Sequence, residues 1–281
     1  MSATLKTPSA ADRTRADWLL AMLREHYPDA HCELVHSAPH ELLIATILSA
    51  QTTDVNVNKA TPALFVRFPT PADYARSTPA EIEPFVRSLG FFRNKARAVQ
   101  EAMTRVVDVF GGKVPGTMDE LLSLRGVARK TANVVLGNAF GVNVGVVVDT
   151  HVERLSQRLG LAPKGSTVAV IEKHLMSLFP QEAWCDLSHL LIFHGRRACT
   201  ARGQSTDTPG VRRCSESAIC REFGECCELR KVVKARSVGK PKAGALTPKV
   251  KVREPKASKG KALKPRGKPK AKPAQPRTGK S

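Results

Sequence analysis

The chain has 281 residues and a formal net charge of +20, from 45 Lys and Arg against 25 Asp and Glu. The excess is localised: residues 231–281 carry 18 basic side chains and one acid, Glu254, whereas residues 1–230 stand near +3. A polycationic appendage therefore follows an ordinary folding body. No run of about 18 apolar residues is present, and the polar stretch from Ser2 to Asp12 has no apolar signal core behind it, so the chain reads as soluble and intracellular.

Apolar residues recur at helical spacing at Leu19, Met22 and Leu23, then at Leu43, Ile47 and Leu48, and again at Val134, Val135 and Ala139. No alternating strand pattern competes, which makes the fold class all-α, with roughly ten short helices. Thr78-Pro79-Ala80-Glu81 and Thr117-Met118-Asp119-Glu120 have the Thr-x-x-Glu form of a capping box, and each opens an apolar-periodic segment. Gly90, Gly141 and Gly160 stand where helices are expected to stop.

The stretch from Leu121 to Leu136 predicts a helix ending near Leu124, a turn of about four residues, and a second helix starting near Arg129. Gly126 permits close backbone approach, and the free N–H groups at the next helix start suit a phosphate. An ordinary helix-turn-helix corner packed in a core fits that spacing equally well. Lys130 falls in the first turn beside Arg129, where the helix dipole and its neighbour both disfavour a charged amine. Asp149 follows the apolar run Val146-Val147-Val148 and precedes Thr150-His151-Val152-Glu153, the position of a helix N-cap.

Five of the seven cysteines lie within residues 199–227, a density that points to metal rather than to disulfides in an intracellular chain. His189 and His194, five apart on a predicted helix, diverge and do not make a metal pair, while Cys32 and Cys185 read as buried thiols. Beyond Arg236 the composition turns to Lys, Pro, Ala and Gly, as in Lys268-Pro269-Lys270-Ala271-Lys272-Pro273, which reads as a disordered tail. Such a cation binds polyanions in a salt-dependent, sequence-independent way, or serves only to solubilise.

Several separated motifs occur in one order: Leu48-Ser49-Ala50-Gln51-Thr52-Thr53-Asp54, Leu89-Gly90-Phe91-Phe92-Arg93-Asn94-Lys95-Ala96, the hairpin at Gly126, Val146 to Val152, and His194-Gly195-Arg196. Together they resemble the endonuclease III family of helix-hairpin-helix DNA glycosylases, over about Leu19 to Cys227. The resemblance implies a six-helix barrel domain at residues 32–143 containing the helix-hairpin-helix. A cluster-bearing helical domain follows from residues 1–31 plus 144–227, with a disordered tail at 228–281 and a DNA-binding cleft between the two domains. It further implies a monomer of the cytoplasm or nucleoid that binds damaged double-stranded DNA and no membrane.

The implied activity is that of a bifunctional DNA glycosylase and AP lyase of base excision repair. Such an enzyme excises oxidised pyrimidines and cuts the abasic site by β-elimination through a lysine Schiff base. Lys130 takes the place of the nucleophile and Asp149 that of its carboxylate partner. Gln51 is assigned to the hole left by an extruded base, Phe91 and Phe92 to a wedge beside it, and Gly126, Val127, Ala128 and Arg129 to the DNA backbone. The family hairpin usually reads Pro-Gly-Val-Gly, whereas Arg125 and Ala128 hold the outer positions here.

Members commonly bind a 4Fe-4S cluster through Cys-x6-Cys-x2-Cys-x5-Cys. Here Gln204 to Gly210 is inserted between Cys199 and Cys214, and Ser217 stands three residues beyond Cys214. Cys199, Cys214, Cys220 and either Cys226 or Cys227 leave enough thiolates for a cluster; zinc, or thiols that bind nothing, are the rivals. A non-catalytic DNA-binding or redox-responsive protein, and an adenine- or alkylbase-specific glycosylase, are the competing functions. Retention of both Lys130 and Asp149 argues against the first, and lysine at the nucleophile position against the second.

Overall fold

Polar caps start the helices that the apolar spacing marks. In the computed structural model, which describes residues 7–201 and 217–223, Ser9 opens α1 (Ala10–His26) through a capping box with Asp12. Helix α2 (Pro39–Leu48) begins on proline, and Thr53 caps α3 (Asp54–Arg67) by accepting from the Asn56 N–H. Thr70 and Thr78 open α4 (Pro71–Arg76) and α5 (Pro79–Val86), where Asp73 and Glu81 return the bond as a capping box requires.

Helix α5 stops at Val86, four residues before the glycine expected to end it. The residue that turns the chain into α6 (Phe92–Phe110) in the left-handed region is Phe91, at φ 58°, not Gly90. Thr117 then caps α7 (Met118–Leu122), and α8 (Arg129–Phe140) ends on Gly141 at φ 67°. Asp149 caps α9 (Thr150–Arg158), after which Gly160 takes a left-handed turn. The remaining helices are α10 (Val168–Leu178), a 3-10 turn at Gln181–Ala183, α11 (Trp184–Arg197) and α12 (Ala218–Phe223). Among the described residues there is no strand, so the fold is all-α. None of their helices is long and apolar enough to cross a membrane.

Apolar faces collect into two clusters. One joins α2 through α8, with Leu42, Leu43, Ile44, Leu48, Leu64, Met103 and Val135 buried in it. The other joins α1 to α9, α10, α11 and α12 around Leu19, Leu23, Leu155, Ile171, Leu187 and Leu191. Helix α2 is apolar on every side and buried from Leu42 to Leu48, which is worth about 1.5–3 kcal/mol for each large side chain. Rigid embedding of α2 fixes where the segment Ser49 to Asp54 emerges. The chain passes from the first cluster to the second at Val146 and Val148, so Asp149 stands just beyond that crossing.

Candidate active site

A cavity of about 300 Å³ is lined by Gln51, Asp54, Gly126, Ala128, Lys130 and Asp149, among others. Lys130 comes from the first turn of α8 and Asp149 from the N-cap of α9. Asp149 Oδ1 accepts from the backbone N–H groups of both His151 and Val152, each at 2.8 Å. That capping bond pins the carboxylate and leaves Oδ2 as the oxygen available to another partner.

The hairpin between α7 and α8 explains its own sequence. Gly126 sits at φ 79°, and a Cβ there would lie 3.1 Å from Ala98 Cβ and 3.3 Å from Ile47 Cγ2. Both conformation and space demand glycine at this position. Ala128 is extended at φ −100° and ψ 171°, a conformation any residue adopts, so its side chain does not strain the turn. Ala128 forms no side-chain cap on α8, and Val127 is buried under the turn.

Arg129 does not stand as a lone cation beside Lys130. Its Nε and Nη2 donate to the carboxylate of Glu172 in α10 at 3.1–3.2 Å, and Asn133 donates to the same carboxylate at 3.1 Å. Pairing with Glu172 raises the Arg129 guanidinium further above its ordinary value. The repulsion expected from Arg129 is thus compensated, and α8 is tied across to the second cluster. Gly145 makes room for this network: a Cβ there would fall 2.2 Å from Glu172 Oε1 and 2.7 Å from Asn133 Nδ2.

Gln51 and Phe91 are both exposed and both left-handed, at φ 54° and 58°, the only non-glycine residues so placed among those described. Backbone held in this way costs on the order of 1–3 kcal/mol, and its recurrence at two exposed side chains suits a surface shaped for contact. Phe91 is 68% exposed, whereas Phe92 packs partly against the first cluster with the Arg93 guanidinium 5.6 Å from its ring. Neither phenylalanine lines the cavity that Gln51 lines.

The profile of the HhH-GPD superfamily of base excision DNA repair proteins matches residues 44–181. Endonuclease III of Synechocystis sp. is 53% identical over 193 residues, which are 69% of this chain and 88% of that protein. Endonuclease III of Bacillus subtilis is 43% identical over 206 residues, 73% of this chain and 91% of that protein. The chain belongs to the endonuclease III family. A solved endonuclease III–DNA covalent intermediate superposes with a TM-score of 0.69 and 43% identity, over 79% of this chain and 98% of that one. A thermostable thymine-DNA glycosylase, at 21% identity and a TM-score of 0.64, shares the fold. As a member of the endonuclease III family, the chain is a base excision DNA repair enzyme, a DNA glycosylase and AP lyase.

A further carboxylate, Asp54, lines the same cavity, and its motif in the sequence assigns it no role. Burial raises its carboxyl above the usual range; Lys130 opposes that shift, and Asp149 adds to it. Arg196 donates to Asp54 at 3.1 Å and also pairs with Glu33. Cys32 and Cys185 line the cavity too, as half-buried thiols; burial pushes Cys185 up to about 11. His189 Nε2 meets Asn138 Oδ1 at 2.9 Å, while His194 meets Tyr27 and Cys220, so the two imidazoles diverge as their spacing predicts.

Of the cysteines expected to ligate a cluster, Cys199 and Cys220 are buried in the second hydrophobic cluster, while Cys214, Cys226 and Cys227 lie outside the described residues. Arg158 donates to Cys199 Sγ at 3.2 Å, and Cys220 Sγ lies 3.3 Å from His194 Nε2. Buried thiols with nitrogen donors beside them are a chemistry that fits thiolate ligands of an iron–sulfur cluster. Among the described residues no group of three or more His, Cys, Asp or Glu side chains is arranged to hold a metal.

Proposed function

We propose that this enzyme excises oxidised pyrimidines and then nicks the abasic site through a Schiff base on Lys130. The observation that carries the reading is the meeting of Lys130 and Asp149 in one cavity beside the Gly126 hairpin. The neutral Lys130 amine attacks C1′ of the damaged nucleoside, and the base departs with its electron pair and takes up a proton. Ring opening gives an imine between Nζ and C1′, which acidifies C2′. Loss of a C2′ proton then expels the 3′ phosphate, so the strand breaks without water as nucleophile.

Asp149 stabilises the positive charge that builds on the sugar. With Oδ1 occupied by the α9 cap, Oδ2 does this work. Gln51 fills the hole left by the extruded base and Phe91 wedges beside it, with Phe92 supporting the wedge from the core. The first-turn N–H groups of α8, from Ala128 onward, with Gly126, Val127 and Arg129, hold the backbone phosphates. The solved endonuclease III–DNA complexes of similar sequence support a DNA substrate for this surface.

Residues 32–143 serve as the barrel domain, residues 1–31 with 144–227 as the partner domain, and a single copy suffices for binding. Cys199, Cys214 and Cys220, with Cys226 or Cys227, hold a 4Fe-4S cluster that contributes structural cross-linking and one-electron capacity. The +17 tail, outside the described residues, adds sequence-independent DNA affinity. Truncation after Arg230 is expected to reduce the slope of log affinity against log salt; an unchanged slope excludes that role.

Borohydride trapping on a duplex containing thymine glycol tests the central claim. The wild type is expected to form a covalent adduct that Lys130→Gln does not form. Tight DNA binding with no adduct in the wild type overturns the Schiff-base reading.

A further inference from the structure

Lys95 stands out among the charged side chains because it is 5% exposed and lies in the first turn of α6. Its Nζ donates to Thr52 Oγ1 at 2.6 Å, and among the described residues no carboxylate pairs with it. Burial holds the ammonium below the ordinary lysine range. Desolvating a cation for one hydroxyl partner is unfavourable unless the bond has another use.

The position of that bond supplies the use. Thr52 directly follows Gln51, and Lys95 lies one helical turn beyond Phe91, with its backbone N–H donating to the Phe91 carbonyl at 3.0 Å. Gln51 and Phe91 are the two left-handed residues described above. The hairpin closes the same corner: Gly126 packs against Ile47 of α2 and Ala98 of α6, the helices that carry the two turns. Forty-three residues apart in sequence, Thr52 and Lys95 therefore join the two segments from which the exposed amide and the exposed aromatic project.

We infer that Lys95 is a positioning residue whose bond to Thr52 holds the Gln51 and Phe91 turns at a fixed separation, so that both side chains enter the DNA stack together. This rests on the proposed roles of Gln51 and Phe91 in base extrusion. The strut acts before chemistry: it governs how a base leaves an intact duplex and has no part in what Lys130 does once the sugar is reached.

The test compares two substrates in Lys95→Met, Thr52→Val and Thr52→Ser, each in the full-length enzyme. One is a duplex with thymine glycol and 2-aminopurine in the opposing strand, where extrusion is reported by fluorescence. The other carries a preformed abasic site opposite a gap, where no base has to be extruded. Lys95→Met and Thr52→Val are expected to slow the fluorescence rise and excision at least tenfold, with cleavage at the gap within twofold of wild type. Thr52→Ser, which keeps the hydroxyl, is expected to restore extrusion. Equal loss on both substrates, or no loss on either, overturns the proposal. If Lys95→Met does not fold, the contrast between Thr52→Val and Thr52→Ser decides alone. Gln51→Ala and Phe91→Ala are controls: normal extrusion in both sinks their assigned roles, and absent gap cleavage in the wild type sinks the Schiff-base reading, each independently of the strut.

Discussion

The Arg129 guanidinium, one residue before Lys130, is held by both oxygens of the buried Glu172 carboxylate on the opposite cluster. The first turn of α8 thus owes its placement to α10 as well as to the hairpin. Glu172→Gln keeps the volume but removes the charge that Arg129 and Asn133 share. Unfolding free energy is expected to drop by about 1–2 kcal/mol, given that Arg129 is half exposed. Thermal unfolding, shifting by roughly 2–4 °C per kcal/mol, reads this out. Base excision should fall with it, since Lys130 is carried on the same turn.

The hairpin offers two opposite outcomes. Gly126→Ala places a methyl in a left-handed turn and against Ala98 and Ile47, so it is expected to destabilise by about 1–3 kcal/mol and weaken DNA binding. Ala128→Ser supplies the missing cap of α8 without strain and is expected to stabilise by about 0.5–2 kcal/mol. Denaturant melts of both variants check this; a destabilising Ala128→Ser contradicts the cap geometry.

Asp149 has two duties that substitution separates. Asn caps helices about as well as Asp, so Asp149→Asn should keep thermal stability within about 0.5 kcal/mol while base release slows by orders of magnitude. Asp149→Ala should lose activity and about 1 kcal/mol of stability together. Single-turnover excision beside thermal melts distinguishes them, and an Asp149→Asn enzyme that melts early assigns the residue to the fold alone.

His189 gives the protein an acid-side weakness. Burial lowers its imidazole below the ordinary 6.5, with Asp186 opposing. As pH falls through 6.5 the unfolded chain takes up a proton before the folded one, so stability present at neutral pH is lost on acidification. His189→Gln, which still donates to Asn138, is expected to reduce the stability slope between pH 7 and 5, the remainder coming from His194, which burial lowers to about 4. Melts at the two pH values measure it; a slope identical to wild type places the sensitivity elsewhere.

What the sequence disclosed was local. Thr78 and Thr117 announce helix starts because a cap and its partner lie three residues apart, and Gly126 announces a turn because no other residue holds φ 79° without strain. The sequence places Lys130 in the first turn of a helix and Asp149 at an N-cap, and the structure has both there, lining one cavity. The helix end expected at Gly90 comes four residues early: α5 stops at Val86, the Leu89 N–H turns back to the Val86 carbonyl, and the left-handed turn falls on Phe91. Arg129 with Glu172, Lys95 with Thr52, and Arg196 with Glu33 and Asp54 were not legible, since each joins residues brought together only by the tertiary fold. The irregular cysteine spacing left the cluster ligands open for the same reason.

Gly145 is buried, has no functional group and lies outside the cavity lining, yet a Cβ there would come 2.2 Å from Glu172 Oε1 and 2.7 Å from Asn133 Nδ2, so both ends would have to move away from the positions in which they meet each other and Arg129. A saturation survey of the chain is therefore expected to score substitutions at position 145 as harmful, although the residue takes no part in the chemistry. Such intolerance is the footprint of a neighbouring carboxylate, and a reader of variant data alone would mistake it for a missing piece of chemistry.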